Sequence, residues 1–100
     1  MSFVEAFNLY DTKRIINQVS DITAEQIKSA RAAIGVTIRQ VAQQTGIGSA
    51  TLKRYEATSG VPKSRKGHLL TLREFFEATG IEFIGSPGDR PGIRVGPPKD

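Results

Sequence analysis

The sequence contains no cysteine and only one histidine, His68, and it has no apolar run approaching the length that crosses a bilayer. The first absence removes disulfide frameworks, thiol catalysis and the Cys/His clusters that hold structural zinc, so a zinc-finger reading is excluded. The last removes a membrane-spanning helix. Residues 1–10 carry neither a basic lead nor an uninterrupted apolar stretch, so a cytoplasmic protein with no membrane partner is expected. No phosphate-binding GxxxxGK[ST] signature occurs, the Gly85–Gly92 loop included, and neither Ser64 nor Asp89 has the setting of a nucleophile. A non-catalytic protein with no cofactor and no metal is therefore expected.

What is present is one domain's worth of chain, 100 residues with a composition ordinary for a globular protein. The net charge of +4 conceals a stronger pattern. Residues 26–73 hold nine Lys or Arg against Glu56 alone, whereas the segments on either side are each net acidic. A basic middle between acidic ends is the distribution a polyanion-facing surface needs, although a solvated basic face has the same composition.

Apolar periodicity and punctuation divide the chain into short helices. In the extension 1–22, Asp11 and Thr12 can cap a weak helix through Ile15, Ile16 and Val19, and Phe3, Phe7 and Tyr10 also fall at helical spacing. Thr23 with Gln26 forms a capping box ahead of Ile27, Ala30, Arg31 and Ile34, and Gly35 closes that helix. Thr37 with Gln40 repeats the device ahead of Ile38, Val41 and Ala42, ending at Gly46. Ser49 is the expected N-cap of a third helix running to Ala57. A fourth, from Ser64 to Thr79, carries Leu69, Leu70, Leu72, Phe75 and Phe76, a band wider than one core-facing stripe requires. Ile81–Ile84 and Ile93–Val95 favour strands about a Gly85–Gly92 loop, as a hairpin or as strands exchanged between copies. The fold class is thus mainly α, four to five helices plus a short C-terminal β-strand pair. Its parts are the extension (1–22), a helical domain (23–80), a β segment available for dimerisation (81–96) and a frayed tail (97–100).

Two short helices that meet at a steep angle need a small residue at the crossing, a glycine in the turn and apolar residues holding both in the core. Ala42, Gly46 and the set Val41, Ile47, Leu52 and Tyr55 supply all three. At about 100° per residue, Ser49, Ala50, Lys53 and Arg54 share one arc of the third helix, while Thr51, Leu52 and Tyr55 lie opposite and face inward. The outward arc is a short-side-chain entrance followed by two cations, suited to close approach of the helix to base edges. Arg54 is the first candidate for reading a guanine through O6 and N7. Ala50 offers a thymine-methyl contact.

The stretch 37–56, from Thr37 through Ala42, Gly46 and Leu52 to Glu56, resembles the two-helix core of the Cro/C1-type (Xre, phage-repressor-like) helix-turn-helix regulators, with a looser likeness over 23–84. It departs from their pattern at Thr45, often a small apolar residue, and at Gly48, usually polar. The resemblance implies a lambda-repressor-like bundle whose third helix enters the major groove. It also implies phosphate contacts from Thr37, Ile38 and Arg39 at a helix start, where free N–H groups favour an anion, and from Lys63, Arg65 and Lys66 in the following loop. His68 could add a contact or serve as a cap or core residue. Family members often join the positions of Arg31 and Glu56 by an ion pair. Here Arg31 sits on an apolar stripe and Glu56 at a helix C-terminus, where the dipole disfavours it, so each needs a partner. If buried, losing one would cost about 3–5 kcal/mol.

These readings point to sequence-specific binding of double-stranded DNA and to transcriptional regulation, as a repressor and a homodimer. Two recognition helices would then lie about 34 Å apart on a palindromic site. The alternative in sequence terms is a protein-partner role, as the antitoxin half of a toxin–antitoxin pair, since antitoxins also bind DNA.

Overall fold

The computed structural model describes residues 21–98. Helices α1 (Ala24–Ile34), α2 (Ile38–Thr45), α3 (Ser49–Glu56) and α4 (His68–Ala78) are followed by strands β1 (Ile81–Ser86) and β2 (Asp89–Val95). The fold is helix-dominated, with one two-stranded antiparallel sheet among the described residues. The expected weak helix of the extension, with Phe3, Phe7, Tyr10 and Ile15 to Val19, lies outside the described residues, as do Lys99 and Asp100 of the tail.

Both capping boxes form, because each satisfies two backbone donors that a helix start leaves without partners. Thr23 Oγ1 accepts from the Gln26 N–H at 3.0 Å and Gln26 Oε1 accepts from the Thr23 N–H at 2.9 Å. Thr37 and Gln40 repeat this at 3.0 and 2.8 Å. Gln26 has a second task that fixes the sheet. Its Nε2 donates to the carbonyls of Gly92 at 2.8 Å and Ile84 at 3.3 Å, so one buried amide both caps α1 and docks the hairpin. The core gathers Ile22, Ile27 and Ala30 from the α1 side, Val41, Ile47, Leu52 and Tyr55 from the helix pair, and Leu69, Leu72, Phe76, Ile81 and Phe83 from α4 and β1. Burying Leu- and Phe-sized side chains stabilises the fold by roughly 1.5–3 kcal/mol each.

Three expected boundaries move. The N-cap of α3 is Gly48, with no side-chain cap bond, and Ser49 is the first helical residue. Helix α4 begins at His68 instead of Ser64, because Gly67 takes a left-handed backbone (φ 88) that interrupts a helix, and the His68 N–H turns back to the Arg65 carbonyl at 3.0 Å. The strands also reach into the expected 85–92 loop: β1 pairs with β2 from Ile81↔Val95 to Ser86↔Asp89, with a bulge between Ile84 and Ser86, leaving Pro87 and Gly88 as the turn. The strand pair is a hairpin within the chain. Pro91 fits β2 because a two-stranded sheet leaves every strand an outer edge that needs no N–H donor. Gly80, at φ 102 between α4 and β1, is crossed so closely by the chain that a Cβ there would overlap the Gly96 carbonyl, and the Gly96 N–H donates to the Gly80 carbonyl at 2.8 Å.

Candidate nucleic-acid interface

The helix pair α2–α3 turns at Gly46, whose φ of 80 is the left-handed conformation a side chain disfavours, and whose N–H donates to the Ala42 carbonyl at 2.9 Å. Thr45 stabilises the same turn: its hydroxyl donates to the Val41 carbonyl at 2.8 Å and accepts from the Ile47 N–H at 3.2 Å. A departure from the resembled pattern thus has a local use. Half-buried Ala42 packs against the core beside Val41.

Helix α3 has two faces of opposite character. Leu52 and Tyr55 are each 1% exposed, whereas Ala50, Lys53 and Arg54 are exposed and Ser49 is half-buried at the helix start. Thr51 is half-buried between the two faces. The Arg54 guanidinium lies 5.6 Å from the centroid of the Tyr55 ring, close enough for cation–π attraction. A shallow notch lined by Arg54, Tyr55, Thr58, Val61, Pro62 and Lys63 joins the end of α3 to the following loop.

Arg31 and Glu56 meet in a bidentate pair that fastens α1 to α3. Arg31 Nε donates to Glu56 Oε2 at 2.8 Å and Nη2 to Oε1 at 2.9 Å, while Nη1 donates to the Val36 carbonyl at 3.2 Å. The hydrogen bonds to Glu56 hold the guanidinium above its ordinary pKa, outweighing the opposing effect of burial. The Glu56 side chain is 9% exposed and that of Arg31 27%, so the carboxylate depends on the pair more than the cation does.

At the start of α2, the capping box engages the N–H and hydroxyl of Thr37. Among the first-turn donors, the N–H groups of Ile38 and Arg39 lie outside it. The Ile38 side chain packs on the core, and Arg39 is exposed. Beyond α3, segment 57–67 is tied down at several points. The Ala24 N–H donates to the Gly60 carbonyl at 2.8 Å, the Gly60 N–H to Glu25 Oε1 at 3.2 Å, and Pro62 is buried. Lys63, Arg65 and Lys66 are all exposed on this segment.

Sequence reasoning missed the internal partner of Tyr55. Its hydroxyl lies 2.7 Å from His68 Nδ1 and accepts from the Arg65 N–H at 3.3 Å. A signal was available, since a tyrosine in place of phenylalanine on an inward face carries a hydroxyl that requires a partner.

The disposition of ion pairs separates the cations into two populations. Arg31, Arg73, Arg90 and Arg94 each meet a carboxylate: Glu56, Glu77, Asp89 and Glu82. Among the described residues, Lys28, Arg39, Lys53, Arg54, Lys63, Arg65 and Lys66 form no such pair. Five of these seven lie on α3 and the loop that follows it, Arg39 lies in the first turn of α2, and Lys28 lies apart on α1. A surface of this kind can attract a polyanion without first breaking internal contacts. No group of three or more metal-binding side chains occurs among the described residues, and no described helix is long and apolar enough to cross a membrane. In comparisons with protein-family models, curated proteins and solved structures, the chain matches none.

Proposed function

We propose that the chain binds double-stranded DNA sequence-specifically, with α3 in the major groove, and regulates transcription as a helix-turn-helix protein of the Cro/C1-type. The observation that carries this reading is the exposed set Lys53 and Arg54, which pairs with no carboxylate among the described residues, on a helix whose other face is locked into the core. Arg39 on one side and Lys63, Arg65 and Lys66 on the other extend that set. In this arrangement Ser49, Ala50, Lys53 and Arg54 face base edges. The N–H groups at the start of α2, Arg39 and the loop cations hold phosphates, and Thr37 orders the helix start as its cap. The likeness of residues 37–56 to the Cro/C1-type core gives independent support. Covering promoter DNA is enough to repress, so repression is the mode of regulation that needs nothing further from the chain.

A single short recognition helix buries little surface, and a homodimer on a palindromic site supplies the second. Exposed Leu70 on α4 and Val95 at the end of β2, 39% and 59% exposed, lie on the elements suited to that contact. The test is selection of duplexes from a random library followed by anisotropy titration of the selected site across a salt series. Binding should discriminate among sequences and weaken steeply with salt, as expected where several phosphates are neutralised. Failure to bind any duplex at low salt would refute the function.

A further inference from the structure

We infer that Tyr55, through its hydroxyl and His68, is a positioning residue that holds the cationic loop in register with the base-facing edge of α3. This rests on the DNA-binding reading above, and it concerns a contact between side chains thirteen residues apart that serves neither helix on its own. A hydroxyl has one proton and two lone pairs. The Tyr55 oxygen accepts from the Arg65 N–H at 3.3 Å and makes a second hydrogen bond with His68 Nδ1 at 2.7 Å, whose direction is set by the imidazole tautomer. The two rings also meet edge-to-face, with centroids 5.9 Å apart. Arg65 and His68, the other two corners of this triangle, bound the one turn that leads into α4, closed by the His68 N–H on the Arg65 carbonyl at 3.0 Å. The Tyr55 hydroxyl therefore clamps the turn that carries Arg65 and Lys66.

The ring of the same side chain lies 5.6 Å from the Arg54 guanidinium. One buried tyrosine thus touches the first candidate for base reading with its ring and the phosphate-facing loop with its hydroxyl. Because the ring is fully buried among core residues, its position is set by the fold, and the loop inherits that position. Without the hydroxyl the cations remain on the chain, but the loop no longer holds Arg65 and Lys66 against the phosphates, so fewer phosphates are neutralised in the complex.

The experiment compares Tyr55→Phe, His68→Leu and His68→Asn with the unaltered chain. Amide exchange is measured on the free protein, and the salt dependence of affinity is measured on the selected duplex and on random duplexes. Tyr55→Phe keeps the buried ring and its Arg54 contact. Exchange at the Arg65 amide should become about five- to tenfold faster, the effect of losing one hydrogen bond. The slope of log affinity against log salt should fall by about one to two. Preference between duplexes should stay unchanged. His68→Leu should do the same, His68→Asn should keep the slope because an amide can pair with the hydroxyl in either direction, and the double variant Tyr55→Phe/His68→Leu should lose no more than either single one. An unchanged slope and unchanged Arg65 exchange in Tyr55→Phe, with the unaltered chain binding duplex, would overturn the positioning role alone. A shift in base preference without a change of slope would overturn it too, by placing the effect on Arg54. No duplex binding by the unaltered chain would overturn the function and, with it, this role.

Discussion

The β1–β2 hairpin and the α2–α3 pair with the segment after it handle charge in opposite ways. On the hairpin, Arg94 faces Glu82 across the strands at 3.5 Å and Arg90 meets Asp89 at 3.1 Å, so its cations are neutralised locally. On α3 and the segment after it, Lys53, Arg54, Lys63, Arg65 and Lys66 are exposed and meet no carboxylate among the described residues. The one acidic residue of α3, Glu56, is turned inward and held by Arg31. Net charge alone would not have revealed this difference. What matters is where the carboxylates are: among the described residues, none pairs with the cations of α3 and the segment after it.

The sharpest way to break the comparison is to release Glu56. Arg31→Ala leaves a nearly covered carboxylate without its partner and should cost about 3–4 kcal/mol in urea unfolding. Glu56→Ala should cost less, about 1–2 kcal/mol, because the guanidinium is partly exposed and keeps the Val36 carbonyl. Equal and negligible losses would mean that the pair does not fasten α1 to α3. At the hairpin end, Gly80→Ala forces a left-handed backbone and a clash with the Gly96 carbonyl, for an expected loss of about 2–3 kcal/mol in thermal unfolding. That loss should be the same with and without duplex if the hairpin takes no part in binding.

Smaller effects sharpen the contrast at the surface. Arg54→Ala should cost about 1–3 kcal/mol on the selected duplex and relax choice at one base pair. Equal losses on every duplex would reassign Arg54 to phosphate. Removing Arg94 from its exposed pair should change duplex affinity and stability by less than about 0.5 kcal/mol. The smallest effect concerns acid. The Glu25 carboxylate accepts from its own N–H and that of Gly60, which holds its pKa below the ordinary value. A group so lowered contributes stability that is present above its unfolded pKa and lost as pH falls through the folded one. Glu25→Gln should therefore unfold slightly more readily near neutrality and converge with the unaltered chain in acid. A difference that grows on acidification would contradict the contact.

How much was legible in the sequence follows the range of the interaction. The capping boxes of Thr23 with Gln26 and Thr37 with Gln40, the stop at Gly46 and the outward arc of α3 depend on residues at most a few positions apart, and each is readable as a spacing. The sequence does not show where α4 starts, because the left-handed Gly67 interrupts a helix that residues 64–66 could otherwise continue, and it overstates the hairpin loop because proline and glycine mark a turn without fixing its register. Arg31 with Glu56 came from a resemblance, since nothing local brings residues twenty-five apart together. The partners that Gln26 finds on the hairpin and Tyr55 finds in His68 are not legible, although the inward Tyr55 hydroxyl signals that it needs one. Both contacts join a polar group on an inward face to a distant element, so only the assembled core defines the partner.

The most direct test of the cationic face is an amide-resonance titration of the labelled chain with the selected duplex. Perturbations should concentrate at Ile38 and Arg39, at Ser49–Arg54 and at Lys63–Lys66, with the hairpin from Ile81 to Val95 nearly silent. Perturbations centred on the hairpin, with α3 unmoved, would contradict the account.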